Sequence, residues 1–258
     1  KPENFSKLEV EDPNPAGESV SYVFQGKDGA ELATLVVGKR RLISGSVDKD
    51  HYYVRVPDEG RAWLVEGNLP KHRVATDWLA SEILRIPNER VHRTSVKHPD
   101  GTVVRAVKSR PGLANFTLLG MPPETKVDND YNVHALAASL TDSTMNDVRK
   151  AETVSFASPN LQFVIETFDG LRVFGEVAKE GKIDFLRLRA EHDPELARLL
   201  GVDRNAETND PLVKKALERM SDPGDVGKEV ETLNARWAPW AYRVPAYHMD
   251  AMRKKVPD

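Results

Sequence analysis

The sequence predicts an α+β fold built mainly from antiparallel β-hairpins. Two stretches, residues 23–56 and 164–189, share one order of features: an alternating apolar run, an Asp-Gly pair, a second alternating run, a basic glycine-containing turn and a third strand. Asp-Gly between alternating runs is a strong hairpin signal, because glycine reaches a positive φ at little steric cost. A third pair, Asp100-Gly101, separates two further alternating runs. We therefore predict repeated hairpin or meander sheets with one packing helix per repeat, and a helical insertion near the C terminus.

The strands are predicted from period-two alternation of apolar and polar residues, which turns one face of each strand toward a core. Between two of them lies Pro57-Asp58-Glu59-Gly60, whose composition fits a tight turn. The predicted strands are residues 20–25, 31–37, 51–57, 61–66, 90–97, 102–108, 115–119, 151–157, 161–168, 171–179, 183–190 and 242–245.

The helices are predicted from apolar residues that recur every three or four positions. The first is residues 76–84, with Thr76 as its N-cap, and it ends at Ile86-Pro87 because the residue before proline avoids the helical region. The second is residues 131–148, where four apolar residues share one face. Those residues are Val133, Leu136, Ala137 and Leu140, and the candidate caps are Asp128 and Asp130. The remaining predicted helices are 193–201, 210–220, 228–235 and 246–255, with a break at 222–226.

The repeat divides the chain into two predicted parts. Residues 1–86 are the C-terminal part of a truncated first α+β repeat, and residues 87–258 are the second repeat. Before its hairpin the first copy has only the polar lead-in of residues 1–19, so we expect a missing N-terminal segment with that repeat's opening hairpin and helix. Within the second repeat, residues 191–230 are interpreted as a helical insertion and residues 233–255 as a closing aromatic segment.

Composition excludes several classes of protein and site. The 258 residues carry a net charge of −3 without a concentrated basic face, which argues against nucleic acid as a partner. Cysteine is absent, so disulfides, thiolate zinc sites and a cysteine nucleophile are excluded. No apolar run approaches the roughly 18 residues that span a bilayer, and the polar first residues do not form a signal peptide. Because the chain opens with Lys rather than Met, we expect it to be a trimmed piece of a longer protein.

No motif for catalysis or cofactor binding occurs in the chain. The sequence lacks GxSxG, GxGxxG, GxxxxGK[ST] and HExxH, so we predict no catalytic residues and no cofactor. His92 and His98 lie on one predicted strand and could hold zinc together with Asp100. The favoured interpretation of these residues is the polar face of a half-exposed sheet, and no metal site is predicted.

An aromatic cluster near the C terminus is the best candidate for binding a ligand or a partner. Large rings with a polar tip suit contacts with sugars or proteins. Packing is the favoured alternative, since a closing segment needs apolar anchors and each buried ring contributes on the order of 2–3 kcal/mol. Trp63 and Trp78 are likewise expected to face a core. The candidate contact residues are Trp237, Trp240, Tyr242 and Tyr247.

Short motifs run in a fixed order through most of residues 20–250, and only residues 191–230 fit the order loosely. They are Leu35-Val36-Val37-Gly38-Lys39-Arg40, Tyr53-Val54-Arg55, Ala62-Trp63-Leu64-Val65, Asp77-Trp78-Leu79, Ile86-Pro87 with Val91, and Leu233-Asn234 through Trp240-Ala241-Tyr242-Arg243-Val244-Pro245. In this order they resemble the family catalogued as domain of unknown function 4340. The resemblance implies a bacterial protein with one N-terminal membrane helix and a repeated α+β region outside the cytoplasmic membrane. It further implies genes beside ABC-type exporters and gliding-type transport systems, and it supplies no catalytic residues.

The favoured functional hypothesis is a non-enzymatic extracytoplasmic module of a membrane-anchored protein in the bacterial cell envelope. It would be an accessory or scaffold to an ABC-type transport system, with the transporter or its auxiliary proteins as partners and an anchoring N-terminal helix outside this chain. Sheet edges and broad sheet faces would provide the contacts. A small-ligand or glycan-binding protein with a groove between the two repeats is the alternative. A hydrolase that joins His98 to Asp100 is the least favoured one.

Overall fold

The chain forms two compact units, Lys1–Leu79 and Ala80–Asp258. Both contain antiparallel sheets accompanied by helices, so the predicted α+β class is confirmed. That the chain consists of two related repeats divided between residues 86 and 87 stays a prediction. The structure, a computed structural model, describes residues 1–14, 16–42, 50–67, 75–119, 137 and 141–253.

Four antiparallel strands form the sheet of the first unit, and they follow one another in chain order. These strands are β1 (Val20–Gln25), β2 (Glu31–Arg41), β3 (His51–Arg55) and β4 (Trp63–Glu66). The core against this sheet is small, with Val37, Tyr52 and Val54 buried. Toward the β1–β2 turn the hairpin leaves apolar side chains in solvent, since Phe24 is 51% and Leu32 71% exposed.

The polar lead-in of residues 1–19 packs on this sheet through its first turns. Residues Pro2–Asn4 form a 3-10 turn, and α1 (Phe5–Leu8) follows directly. The buried Arg55 of β3 donates from Nε to the carbonyl oxygen of Val10 at 2.7 Å, and its guanidinium lies 4.9 Å from the ring centroid of Phe5. A side chain at Gly38 would overlap the carbonyl oxygen of Leu8, so glycine permits this close approach.

The second unit contains an eight-stranded antiparallel sheet and a separate pair of strands. Its strands are β5 (Glu82–Arg85), β6 (Val91–Lys97), β7 (Val103–Val107), β8 (Thr117–Leu119), β9 (Asp142–Thr144), β10 (Asp147–Lys150), β11 (Leu161–Thr167), β12 (Leu171–Glu180), β13 (Ile183–His192) and β14 (Trp240–Arg243). The large sheet has the order β10-β14-β13-β12-β11-β6-β7-β8, and β5 pairs with β9. Strands β11 to β13 therefore form a meander at the centre of the sheet, with the meander β6 to β8 beside it.

One face of this sheet is covered by helices. The helices of the second unit are α2 (Pro194–Leu200), α3 (Pro211–Glu218), α4 (Pro223–Trp237) and α5 (Ala246–Arg253). The longest, α4, packs along β13 and places Val226 and Trp237 in the main core. Met249 and Met252 of α5 belong to the same core. The predicted helical character of the segment after β13 is confirmed by these bounds.

All three Asp-Gly pairs lie in turns with glycine at positive φ, as the sequence predicts. The φ values are 80°, 87° and 88° in the Asp28-Gly29, Asp100-Gly101 and Asp169-Gly170 turns. In the first two, the aspartate stabilises its own turn by accepting a hydrogen bond at 3.1 Å from the amide two residues further on. In the third turn the hydroxyl of Thr167 takes this role and accepts from the amide of Leu171 at 2.9 Å. Asp169 is thereby free for other partners.

Asp169 belongs to a buried ion-pair network centred on Arg90. Nε of Arg90 donates to Asp169 Oδ2 at 2.7 Å, and its terminal nitrogens donate to Glu229 Oε1 and Oε2 at 2.8 and 2.7 Å. The amide of Ser221 also donates to Asp169 Oδ2 at 2.7 Å. Burial by itself would lower the pKa of Arg90, but the bonds to Glu229 and the charge of Asp169 outweigh it and raise that pKa. The network joins the start of β6, the β11–β12 turn and α4.

Helix α4 also occupies part of the edge of β13. Strand β14 pairs with β13 at Phe185 and Leu186. Further along β13, the side chain of Asn234 binds the backbone at this edge. The amide group of Asn234 accepts from the backbone N–H of Ala190 at 2.7 Å and donates to its carbonyl oxygen at 2.9 Å. One side chain thus replaces the backbone of a neighbouring strand at this position.

Two predicted elements change type. The helix predicted over 76–84 is a 3-10 turn at Ala75–Trp78 followed by β5, because a short apolar run fits helix and strand equally well and pairing with β9 decides. The strand predicted over 151–157 contains a 3-10 turn at Ala151–Thr153. Apolar residues do alternate in this segment, since Val154 and Phe156 both pack on the sheet. In the described part of the chain, the segment is not paired as a strand.

Two predicted helix boundaries are wrong. The helix predicted over 131–148 cannot extend past Thr141, because β9 and β10 follow. Ala137 is helical and buried, and the rest of 131–140, with Asp128 and Asp130, lies outside the described residues. The break predicted at 222–226 is the beginning of α4, with Asp222 at the N-cap and Pro223 in the first turn. Proline fits that position because its missing N–H would have no helical partner there.

Trp63 and Trp78 do not face a core as predicted. They are 48% and 61% exposed, and both belong to the first unit, whose core is too small to enclose them. Instead, Trp63 lies under the guanidinium of Arg61 at 5.1 Å, and Trp78 meets the ring of Tyr22 edge-on at 5.9 Å.

Replacing Arg90 with Met should lower the free energy of unfolding by about 3–5 kcal/mol, because the buried Asp169 and the half-buried Glu229 would lose their counter-charge. The triple variant Arg90→Met, Asp169→Asn, Glu229→Gln should recover part of this loss. The control Arg85→Met removes an arginine whose side chain is 71% exposed and should change stability by less than about 0.5 kcal/mol. Urea unfolding measures the free energy of unfolding of the single variant, the triple variant and the control. A loss that the triple variant does not reduce would show that Arg90 acts through packing alone.

Replacing Gly175 with Ala should destabilise the second unit. A Cβ at this position of β12 would overlap the ring of the buried Phe163 on β11, and such overpacking costs about 1–3 kcal/mol. In the control Gly227→Ala, the added Cβ would lie in open space, and alanine replaces glycine within helix α4. This variant should therefore stabilise the protein by up to about 1 kcal/mol. Thermal unfolding followed by circular dichroism should show opposite signs for the two variants, and equal signs would contradict this packing.

Candidate partner-binding face

The central strands of the large sheet alternate between core residues and residues on the opposite side. On β12, Leu171 and Val173 are in the main core, whereas Arg172 and Phe174 are on the other side and half-buried. The strand register aligns these second-side residues of β6, β11, β12 and β13 in three rows, which we call the outward face. Its rows are Arg93-Glu166-Arg172-Glu191, Ser95-Val164-Phe174-Arg189 and Lys97-Gln162-Glu176-Arg187.

Opposite charges alternate along the first row, and the third row carries both signs with the neutral Gln162 between Lys97 and Glu176. Glu166 is buried and forms ion pairs with both Arg93 and Arg172, the second at 3.2 Å. In the third row Arg187 donates from Nε to Glu176 Oε2 at 3.0 Å. The more exposed Arg187–Glu176 pair contributes little to stability, so its main effect is to hold the long side chains against the sheet.

Phe174 lies at the centre of the middle row between two guanidinium groups. Its ring centroid is 3.9 Å from Cζ of Arg189 and 5.0 Å from Cζ of Arg172. At these distances the cations are attracted by the negative face of the ring. Arginine and aromatic residues are the types that protein interfaces concentrate at their centres, so this arrangement can serve as an anchor for a partner.

Two grooves flank Phe174. The smaller encloses about 310 Å³ beside β6 and β11, and the larger encloses about 650 Å³ beside the edge of β13. Both are lined by Phe174, Glu176 and Arg189. The outward face is therefore contoured, with polar and apolar groups in both grooves, and it can accept the side chains of a bound segment or a small polar molecule.

The four aromatic residues predicted as contacts divide between the core and the surface. Trp237 is fully buried and its indole N–H donates to the carbonyl oxygen of Ile83 at 2.9 Å. Tyr242 is buried, and that burial raises the pKa of its phenol. Trp240 and Tyr247 are 38% and 66% exposed. The first two rings have the packing role that the sequence favoured, and a contact role for Trp240 and Tyr247 stays a prediction.

The histidines weighed for metal binding or hydrolysis have partners within the fold. Nδ1 of His92 lies 2.8 Å from the carbonyl oxygen of Lys108, its ring packs 5.2 Å from that of Phe168, and burial lowers its pKa. His98 is buried, and Asp100 accepts a hydrogen bond within its own turn. In the part of the chain that the structure describes, no three His, Asp or Glu side chains are grouped closely enough to hold a metal ion.

A buried lysine amine follows β7. Nζ of Lys108 donates to the carbonyl oxygen of Asn88 at 2.8 Å and lies 4.4 Å from the ring centroid of Phe116. Burial lowers the pKa of Lys108 to about 8, although the charge of Glu89 opposes the shift. Because the side chain is 1% exposed, no substrate can reach it, and we assign it to the fold.

The sequence indicates the outward face through the polar and aromatic residues that alternate with core residues on the same strands. Arg172, Phe174 and Glu176 alternate with core residues on β12, as Arg187 and Arg189 do on β13. Which of these residues oppose one another depends on strand register, and a shift of one residue would send them to the other face.

Comparison with known proteins gives one finding. A family model with the description Domain of unknown function (DUF4340) matches residues 1–161, which include the first unit and the second unit up to the first residue of β11. No curated protein and no solved structure matches the chain. Within the described ranges, none of the helices combines the length and apolarity that crossing a bilayer requires.

The stability of the protein should rise with pH between about 8 and 10.5 through Lys108. Its pKa is lowered from 10.5 to about 8 on folding, so protonation of the buried amine costs on the order of 3 kcal/mol below pH 8, and this cost disappears as pH rises above 10.5. In Lys108→Met this dependence should be absent, whereas the exposed control Lys179→Met should keep it. Urea unfolding from pH 7 to pH 10.5 measures the difference in unfolding free energy between the two variants. Titration of the tyrosines contributes equally to both variants and cancels in this difference. Equal pH slopes in the two variants would contradict the assignment.

Proposed function

Because the chain belongs to the DUF4340 family, we propose that it is a non-catalytic protein-binding module that works with a membrane transport system in the bacterial cell envelope. The observation that carries the proposal is the outward face, a broad sheet surface with Phe174 and Arg189 at its centre. Its partner would be the transporter or an auxiliary protein of the same system. Anchoring by a membrane helix outside this chain is part of the proposal and rests on the family resemblance.

The composition of the outward face supports a protein partner. The arginines of the outward face pair with carboxylates on the sheet itself, so a partner need not supply a counter-charge for each of them. A contact centred on Phe174 would bury an aromatic ring and the flat guanidinium of Arg189, and both lose little conformational freedom because they already stack. Pre-organised anchors of this kind carry most of the affinity in protein interfaces.

We also propose that the two units are related repeats. Both contain three consecutive antiparallel strands with an Asp-Gly turn between the first two, in β1 to β3 and in β11 to β13. In this proposal the two meanders form related platforms for contact with partners.

A small-ligand function is the second candidate, and the smaller groove favours it. Its volume of about 310 Å³ is at the lower end of the range for small-molecule sites, and Lys97, Glu176 and Arg189 supply charged groups along it. A saturable thermal shift with a glycan or metabolite that Arg189→Ala abolishes would favour this function over protein binding.

Protein produced from its complete gene should retain a transport protein when it is purified from bacterial membranes in mild detergent. The double variant Phe174→Ala, Arg189→Ala should reduce this recovery about tenfold or more, since loss of one strong anchor costs roughly 2 kcal/mol. Lys179→Ala, an exposed substitution near the end of β12, is the control and should retain the wild-type level. Mass spectrometry of the purified material identifies the partner. Recovery of the wild type as a free monomer outside the membrane fraction would contradict the proposed function.

A further inference from the structure

We infer that the β6–β8 side of the large sheet binds an extended acidic segment of the partner protein, an inference that rests on the proposed function and names the chemistry of that partner. We call the second-side residues of these three strands the basic strip. The strand register places them on the same side as the outward face. The basic strip consists of Arg93, Ser95, Lys97, Val103, Arg105, Val107, Thr117 and Leu119.

Within the described part of the chain, two of the three positive charges on the basic strip lack the carboxylate partner that charges elsewhere on the sheet have. Strands β6, β7 and β8 contain no Asp or Glu, although the whole chain has a net charge of −3. Lys97 and Arg105 are exposed, and neither forms an ion pair with any residue that the structure describes. By contrast, Arg93 within the strip and Arg172 and Arg187 outside it each have a carboxylate partner. The strip therefore presents two positive charges that an incoming carboxylate can neutralise.

The spacing of these two charges matches an extended chain. Lys97 lies opposite Val103, and Ser95 lies opposite Arg105, so Lys97 and Arg105 are diagonal neighbours on adjacent strands. Diagonal neighbours on one face are about 7–8 Å apart, and carboxylates at alternate positions of an extended segment are roughly 7 Å apart. One segment with acidic residues at alternate positions can therefore meet both cations at once.

The same strip offers apolar contacts between its charges. Leu119 is 45% exposed, and Val103 and Val107 are half-buried. The groove of about 310 Å³ begins beside Lys97 and Val103 and leads toward Phe174. A segment that alternates acidic and apolar residues would place carboxylates on the cations and small apolar groups against Val103 and Leu119.

A peptide segment fits this surface better than an anionic membrane does. Clusters that bind anionic lipid typically contain about 4–8 lysines and arginines, whereas the strip has two unpaired cations beside a groove. A membrane surface also has no structure to enter the groove. The observations therefore favour a protein segment over a lipid surface.

The test measures binding of a fluorescein-labelled Glu-Val-Glu-Val-Glu-Val peptide by fluorescence anisotropy at about 50 mM salt, against the same peptide with Gln in place of Glu. We expect the acidic peptide to bind about tenfold more tightly than the neutral one. Lys97→Glu, Arg105→Glu should weaken its binding about tenfold or more, and about 300 mM salt should weaken it several-fold. The control Lys182→Glu, Lys214→Glu changes the net charge equally at exposed positions outside the strip and should bind as the wild type does. Circular dichroism and urea unfolding establish that both variants fold.

Equal binding by the two double variants, or no preference of the wild type for the acidic peptide, would overturn the inference. So would binding of phosphatidylglycerol vesicles that depends on Lys97 and Arg105 without binding of the peptide. The membrane purification separates this inference from the proposed function. If Lys97→Glu, Arg105→Glu retains the transport protein at the wild-type level, the acidic-segment inference fails and the proposed function stands. If the wild type retains no transport protein, the proposed function fails whatever the peptide does.

Discussion

A single buried arginine ties the longest helix of the second unit to its sheet. Arg90 is 79 positions from Asp169 and 139 from Glu229, yet one guanidinium binds both. The backbone supports the same junction, since the amide of Phe168 donates to the carbonyl oxygen of Arg90 at 3.0 Å. A buried charge is tolerated only when its partners are complete, so the β11–β12 turn and α4 must take up their positions together. This junction helps to place α4 against the core side of the sheet.

With α4 held in place, the two sides of the sheet carry different kinds of side chain. Val226 and Trp237 fill the core side together with α5. On the opposite side, arginines and glutamates pair across neighbouring strands, and Phe174 is held between guanidinium groups instead of beneath a helix. Charges that neutralise one another keep such a surface compatible with water while leaving an aromatic anchor in reach. In the function that we propose, the rigid core side supplies the pre-organisation that the contact surface needs.

Local features of the fold could be predicted from the sequence, and long-range ones could not. The Asp-Gly turns and the strands around them were predicted because glycine at positive φ and period-two alternation are properties of a few adjacent residues. The role of Asp169 could not be predicted, because an aspartate that stabilises its own turn and an aspartate that forms a buried ion pair have the same local sequence. Pro223 suggested a break, although proline equally suits a first helical turn, and only the packing of α4 decides. The same limit applies to the candidate site: the alternation on β12 is visible, but its neighbours depend on register.

The amide of Asn234 has a consequence for how copies of the protein behave toward one another. A sheet edge with unused backbone groups is a template on which a strand from another molecule can add, and repeated addition leads to fibres. At Ala190 both backbone groups are already occupied by a side chain of the same molecule. Strand addition from another copy is therefore opposed at that point of β13. Self-association through this part of the sheet edge would first have to displace the side chain of Asn234.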